Sequence, residues 1–324
     1  MRHSVLAGTV FLATVVAVHA SQTSTANPDG HADLQGIWLN TSATPLERPK
    51  ALEGRASLTD AEVANLKRNA DRLFNDGNAD LPVGDNLFLA ALANPDQYRN
   101  PNGANRSAAG MDRREFENRT SLIVDPADGR IPALTPAAQQ RRAALAARDR
   151  APAGPEDLNS NTRCITPGVP RIGGVGADPL YGYYQIVQGP GYVVVAMETF
   201  HDARIIPTDG RPHLPASIRQ WSGDSRGRWE GATLVVDTTN FAATSNFLGS
   251  GDRLHLVERF TRVSADTIDY EVIADDPTTW TKPWTALVHL KQMTVKVYEY
   301  ACHEGNAHSM QAILEGARAE VRGR

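Results

Sequence analysis

The chain has 324 residues, with 33 lysines and arginines against 37 aspartates and glutamates and a formal net charge of −4. That length can bury a sizeable core in one large domain or two ordinary ones, so stability forces neither a metal nor a set of disulfides on it. The basic residues are scattered among acidic neighbours rather than gathered in a stripe, which argues against a nucleic-acid partner.

The opening MRHSVLAGTVFLATVVAVHASQ sets Arg2 and His3 before an apolar stretch from Val5 to Val18 and ends on the small-residue pattern Val18-His19-Ala20. It reads as a secretory signal peptide, residues 1–20, cut before Ser21. An uncleaved anchor is the alternative, but the stretch is short of the ~20 apolar residues that span a bilayer. No later segment is long and apolar enough, so the expected location is periplasmic or secreted, with no membrane span in the mature protein. In such an oxidising compartment the two cysteines, Cys164 and Cys302, are expected to pair. A Cys302 thiolate working with the adjacent His303 is the weaker reading, because neighbours on a strand point to opposite faces.

Residues 21–160 are predicted to be loop-rich, with two short helices, and to wrap a core built elsewhere. In SLTDAEVANLKRNADRLF, Thr59 and Glu62 form a capping box and Val63, Leu66, Ala70 and Leu73 share one face. In LTPAAQQRRAALAARDR, Thr135 is an N-cap and Pro136 takes the first helical position. The stretch between them is rich in Asn, Pro and Gly, and RAPAGPEDLNSN is the best linker.

Residues 161–324 form the second unit, and from Tyr181 to about Tyr300 the pattern is one of short β-branched and aromatic runs separated by turns. The runs are YYQIV, YVVVAMETF, RIIP, IRQW, TLVVD, LHLVERFTRV, TIDYEVI, TKPWTALVHL and VKVYEYA, with a helix expected from Ala307. Almost no helix intervenes, so the chain is expected to be mainly β, an antiparallel sheet closed as a calycin- or lipocalin-like barrel, with a sandwich as the alternative. GDSRG, residues 223–227, matches the nucleophile-elbow pattern G-x-S-x-G. That elbow needs a strand followed by a helix, whereas here strand is expected to join strand, so Asp224 and Ser225 are read as turn residues and the glycines as carriers of positive φ.

The segments RTSLIVDPADGRIPALTP, HDARIIPTDGRPHLP, QWSGDSRGRWEGATLVVDTTNF, DDPTTWTKPWT and YEYACHEGN together resemble a large family of exported soil-bacterial proteins, over about residues 30–320. Ala232 departs from the pattern, in which an acidic residue often follows WEG. The resemblance implies export and one shared fold rather than a particular reaction, and associates the chain with catabolism of plant-derived aromatics.

Alternation supplies candidate site residues. Glu198 shares a strand face with Tyr192, Val194, Ala196 and Phe200, and Glu258 shares one with Leu254, Leu256 and Phe260. A carboxylate in an apolar row must be paired or neutral, which suits either a general acid or base or an Arg-paired structural pin. ETFHDAR gathers Glu198, His201, Asp202 and Arg204 where a long strand ends, and a carboxylate beside a histidine can orient the ring. Tyr184, Trp221 and Tyr270, with Arg204 and Arg219, could bury a flat ligand and hold its carboxylate or phenolate. His201, His213, His255, His289 and His303 could converge with Glu198 or Glu304, but no tight metal motif appears and no metal is assigned. RIGGVGADP lacks both G-x-G-x-x-G and a Walker lysine, so no nucleotide cofactor is expected.

The expected function is that of a cofactor-independent lyase or isomerase for a small, partly aromatic molecule. His201 and Glu198 would exchange protons, Asp202 would orient His201, and Tyr184 would donate to an oxyanion. Arg219, Trp221, Arg204, Glu258 and Tyr270 would position the substrate. The alternatives are a non-catalytic ligand-binding barrel and a metal-dependent hydrolase.

Overall fold

The computed structural model describes residues 29–75, 85–93, 114–160, 162–166, 168–172, 183–244 and 247–322. The expected signal peptide and Gly173, Gly174 and Gly176 of the glycine-rich stretch lie outside them. In chain order the elements are β1 (Gly36–Asn40), α1 (Asp60–Asn75), α2 (Asp85–Leu92), β2 (Ile123–Asp125), α3 (Pro136–Arg150), β3 (Tyr183–Gly189), β4 (Tyr192–Met197), β5 (Ala203–Pro207), β6 (Asp224–Glu230), β7 (Thr233–Thr239), β8 (His255–Arg262), β9 (Thr267–Asp275), β10 (Trp284–Met293) and α4 (Asn306–Arg322).

The chain is mainly antiparallel β, and nine strands form one nearly closed barrel in the order β5-β4-β3-β1-β10-β9-β8-β7-β6, with β2 added beside β10. Two meanders, β3–β5 and β6–β10, are bridged by β1, which pairs Ile37 with Met293 on one side and with Gln185 on the other. The segment before residue 160 therefore does more than wrap a core built elsewhere. It supplies the strand that joins both halves, with Trp38 fully buried. It also makes a small core of its own, in which Leu58, Val63, Leu66 and Ala70 meet Leu87, Phe88 and Phe116.

Alternation holds along the strands. Leu256, Glu258 and Phe260 of β8, Ile268, Tyr270, Val272 and Ala274 of β9, and Trp284, Ala286, Val288 and Leu290 of β10 all point into the barrel and are buried. Side chains fill that interior. Tyr270 stacks on Phe260 with centroids 4.5 Å apart and meets Tyr184 edge-on at 5.9 Å. Phe247, Trp280 and Trp284 form an aromatic group within the same core.

Both helices predicted within residues 21–160 form from the expected caps, and the helix expected from Ala307 is α4. Thr59 N–H donates to Glu62 at 2.8 Å and Glu62 N–H to Thr59 Oγ1 at 3.3 Å, while Thr135 Oγ1 accepts from Ala138 N–H. α2 escapes a periodicity reading because every residue from Leu87 to Leu92 is apolar, the exposed Leu89 included, so no polar positions mark the outer face. VKVYEYA is not a strand: one edge of β10 is taken by β9 and the other by β1 and β2, so the chain after Met293 has no free edge of β10 to pair with. IRQW makes only an isolated bridge, Gln220 to Phe241.

GDSRG opens strand β6 instead of joining two strands. Gly223, at φ +71, makes the turn into it. Ser225 is buried, its hydroxyl 2.9 Å from Thr238 Oγ1. Gly227 lies in the strand without positive φ, where an added Cβ would stand 2.8 Å from Thr208 Cγ2 and 3.0 Å from Ile206 Cγ2. Its bare Cα lets the barrel's two end strands, β5 and β6, come together. Gly227→Val is expected to force them apart and cost about 1–3 kcal/mol by overpacking, measured by urea denaturation; an unchanged midpoint would mean that the approach is not needed.

Candidate functional site

At the end of β4 the chain leaves the sheet after Met197, makes one tight turn over Thr199–His201 and re-enters as β5. Phe200 (φ +60) and His201 (φ +51) both occupy the left-handed region. Such a conformation costs about 1–3 kcal/mol per residue and persists only where surrounding contacts impose it. Those contacts are in place. Met197 N–H donates to Asp202 O at 2.8 Å, Arg171 Nη1 donates to Thr199 Oγ1 at 2.9 Å, and the Arg171 guanidinium lies 5.7 Å from the Phe200 ring centroid. Tyr300 meets Phe200 edge-on at 5.3 Å.

Glu198 opens this turn half-buried. Partial burial raises its carboxyl above the usual range, against the opposing effect of a hydrogen bond from the Tyr298 backbone. His201 keeps half of its ring exposed, with Nε2 4.0 Å from Glu299. The segment carrying Tyr298, Glu299 and Tyr300 is tied down by the Cys164–Cys302 disulfide, whose Cα atoms are 5.7 Å apart, so the expected pairing is present. The turn thus brings together a carboxyl inclined to hold its proton, an accessible imidazole and aromatic surface.

Period two misplaced Glu198. The buried row of β4 is Val193, Val195 and Met197; Tyr192, Val194 and Ala196 face outward, and Glu198 lies beyond the strand. Asp202 does not orient His201. Its carboxylate accepts from Thr166 Oγ1 and Ser222 Oγ, each at 3.1 Å, because the backbone turns between His201 and Asp202 as β5 begins. Trp221 joins that group, its indole N–H donating to Thr166 O at 2.6 Å. Arg219 stands apart, donating to Phe241 O and Asp252 O at 3.1 and 2.9 Å.

Tyr184, Arg204, Glu258 and Tyr270 come together inside the barrel rather than at the turn. Glu258, fully buried, accepts from Arg204 Nη1 and Nη2 at 2.5 and 2.9 Å and from the Tyr270 hydroxyl at 2.5 Å. This is the Arg-paired pin that was one of the two readings of Glu258. Burial, reinforced by the Glu258 charge, pushes both Tyr184 and Tyr270 above the ordinary tyrosine range. The Tyr184 hydroxyl donates to the Arg171 carbonyl, so it is not offered to an oxyanion beside His201.

Arg171 was missed by sequence reasoning. Its carbonyl receives Tyr184 from the interior while its guanidinium holds Thr166 and Thr199 at the turn, linking the buried ion pair to the strained residues. A loop carries no alternation, so nothing in its letters marks such a residue as buried. Also missed was a row of Asp224, His213, Asp237 and His255 on the outside of β6–β8. The five histidines weighed for metal do not converge: His289 pairs with Asp269 at 2.7 Å, far from the turn in sequence and sheet order. Among the described residues no group of three or more His, Cys, Asp or Glu is arranged to hold a metal ion. Comparison of the chain with models of protein families, with curated proteins and with solved structures found no match.

Proposed function

We propose that the protein is an extracytoplasmic, cofactor-independent acid/base enzyme, a lyase or isomerase, working at the turn between β4 and β5 on a small, partly aromatic molecule. The observation that carries this reading is that a half-buried Glu198 with a raised pKa and a half-exposed His201 flank one strained turn and reach the adjacent residues Tyr298 and Glu299. A carboxyl that keeps its proton to higher pH is suited to give it to a leaving group, and an imidazole open to solvent is suited to take one up. Phe200, Tyr298 and Tyr300 provide flat apolar surface beside them. Arg171 and Asp202 act as positioning residues, since they hold the turn through Thr199, Thr166 and Ser222. The disulfide, and the lack among the described residues of any helix long and apolar enough to cross a membrane, are compatible with an exported protein.

The test is turnover of a panel of phenolic and aryl compounds, followed by mass spectrometry, with the unmodified chain and with Glu198→Gln and His201→Ala shown to be folded by circular dichroism. Loss of a general acid or base is expected to lower kcat by about 10²-fold or more. As Glu198 donates from its protonated form, activity should fall as pH rises through its raised pKa, and Glu198→Gln should remove that limb of the profile. Unchanged turnover in both variants rejects the reading. Binding of a panel compound without product assigns the site to a ligand-binding barrel.

A further inference from the structure

The loop between β5 and β6, residues 208–223, lies against the outside of the barrel through an alternating row of acids and imidazoles. Asp224 Oδ2 is 2.8 Å from His213 Nδ1, His213 Nε2 is 2.9 Å from Asp237 Oδ1, and Asp237 Oδ2 is 2.9 Å from His255 Nε2. Asp224 belongs to β6, Asp237 to β7 and His255 to β8; within the row His213 alone comes from the loop. Arg226 of β6 completes Asp224 at 2.7 Å, and Asp275 at the end of β9 is the register partner of His255 and favours its charged form.

A neutral imidazole has one N–H and one lone pair. His213 has a carboxylate oxygen at hydrogen-bonding distance from each ring nitrogen, so only the doubly protonated ring donates at both ends. Charge balance agrees with this. With both imidazoles protonated, three carboxylates (Asp224, Asp237, Asp275) face three cations (Arg226, His213, His255). With both neutral, Arg226 alone faces the three acids.

The contacts around His213 fasten the loop to the sheet. Leu214 N–H donates to Asp224 Oδ2 at 2.9 Å, Arg226 Nε donates to Pro212 O at 2.9 Å, and Asn240 Nδ2 donates to Leu214 O at 2.9 Å. The far end of the same loop carries Trp221 and Ser222, which reach Thr166 and Asp202 beside the strained turn. We propose that His213 is a proton-operated clasp: charged, it pins the loop to the carboxylates of β6 and β7, and loss of its proton loosens the loop from the barrel wall. This holds whatever chemistry the turn performs.

Two shifts give the window. Burial works against the Asp237 carboxylate, but hydrogen bonds and charge from His255 and His213 outweigh it and hold the group below its ordinary 3.8. The hydrogen bond to Asp237, against an opposing effect of burial, raises His255 above its ordinary 6.5. The contribution of Asp237 is therefore present above pH 3.8 and lost as pH falls through its depressed value. That of His255 is complete below pH 6.5 and lost as pH rises through its elevated value. The Asp237–His255 end of the row is therefore complete in mildly acidic solution and lost on the alkaline side.

The test is hydrogen exchange of the full chain by mass spectrometry at pH 6 and pH 8.5, with each rate divided by the intrinsic rate at that pH so that only structural opening remains. Protection of peptides within 208–223 is expected to fall about tenfold or more, while peptides from α1 and β9 keep theirs. In His213→Gln the same peptides should be weakly protected at both pH values, and Asp237→Asn, which leaves His213 in place but removes one carboxylate, should flatten the pH dependence. Equal protection of the loop at the two pH values in the unmodified chain overturns the proposal, as does an undiminished pH response in folded His213→Gln. Turnover is not part of the readout, so failure here is separate from failure of the proposed activity.

Discussion

Arg204→Met is expected to destabilise the barrel by about 3–5 kcal/mol, the usual result of removing one member of a buried ion pair. Glu258 is fully enclosed, and of its three hydrogen bonds Arg204 supplies two and Tyr270 one. Without the guanidinium, a carboxylate is left in a core of Leu256, Phe260, Val272 and Tyr184 with one hydroxyl for company. The pair need not be strongly stabilising for this to hold, because most of the loss is the cost of an uncompensated charge. The combined variant Arg204→Met, Glu258→Leu and Tyr270→Phe removes the whole polar group and should recover most of the loss. Urea denaturation of the single and combined variants measures both. A combined variant as unstable as Arg204→Met alone would show that packing, not charge, is at issue.

Cys164→Ser with Cys302→Ser is expected to lower stability by roughly 2–5 kcal/mol, in line with loss of a native bridge that closes a long loop; the two cysteines are 138 residues apart in sequence. Its local effect should exceed its global one. The bridge fastens the stretch from which Tyr298 donates to Glu198 and Tyr300 packs on Phe200, while Asn306 Nδ2 donates to Thr162 O just beyond it. Hydrogen exchange across residues 294–305 should therefore rise well before the barrel unfolds, and Glu198, less buried, should titrate closer to an ordinary glutamate. If the unfolding midpoint and the exchange of this segment were both unchanged, the bridge would be incidental to the site.

What the letters disclosed was what local rules govern. The helix caps, the strand hairpins, the pairing of two cysteines and the inward row containing Glu258 each depend on residues a few positions apart or on composition. Glu198 went wrong because alternation stops counting where a strand stops, and the end of β4 at Met197 leaves no mark in YVVVAMETF. Tyr184 and Tyr270 were read as lining a pocket for a flat ligand, because the letters could not tell an interior filled by side chains from one open to a ligand. β1 was invisible because GIWLN is five residues long, and its two neighbours, β3 and β10, lie far along the chain. Arg171 and His213 sit in loops, where burial follows from tertiary contact alone.

The position of β1 also constrains how the barrel can be assembled. Among the described strands it is the first made, yet both of its partners come later, β10 last of all. Until then its two unpaired edges are open to chance association, and its closing contacts carry the high loop entropy that slows folding. The two meanders can form from neighbouring hairpins, so seating this one strand between them is the expected slow step, and a nascent chain missing its last strands is the form most in need of protection from aggregation.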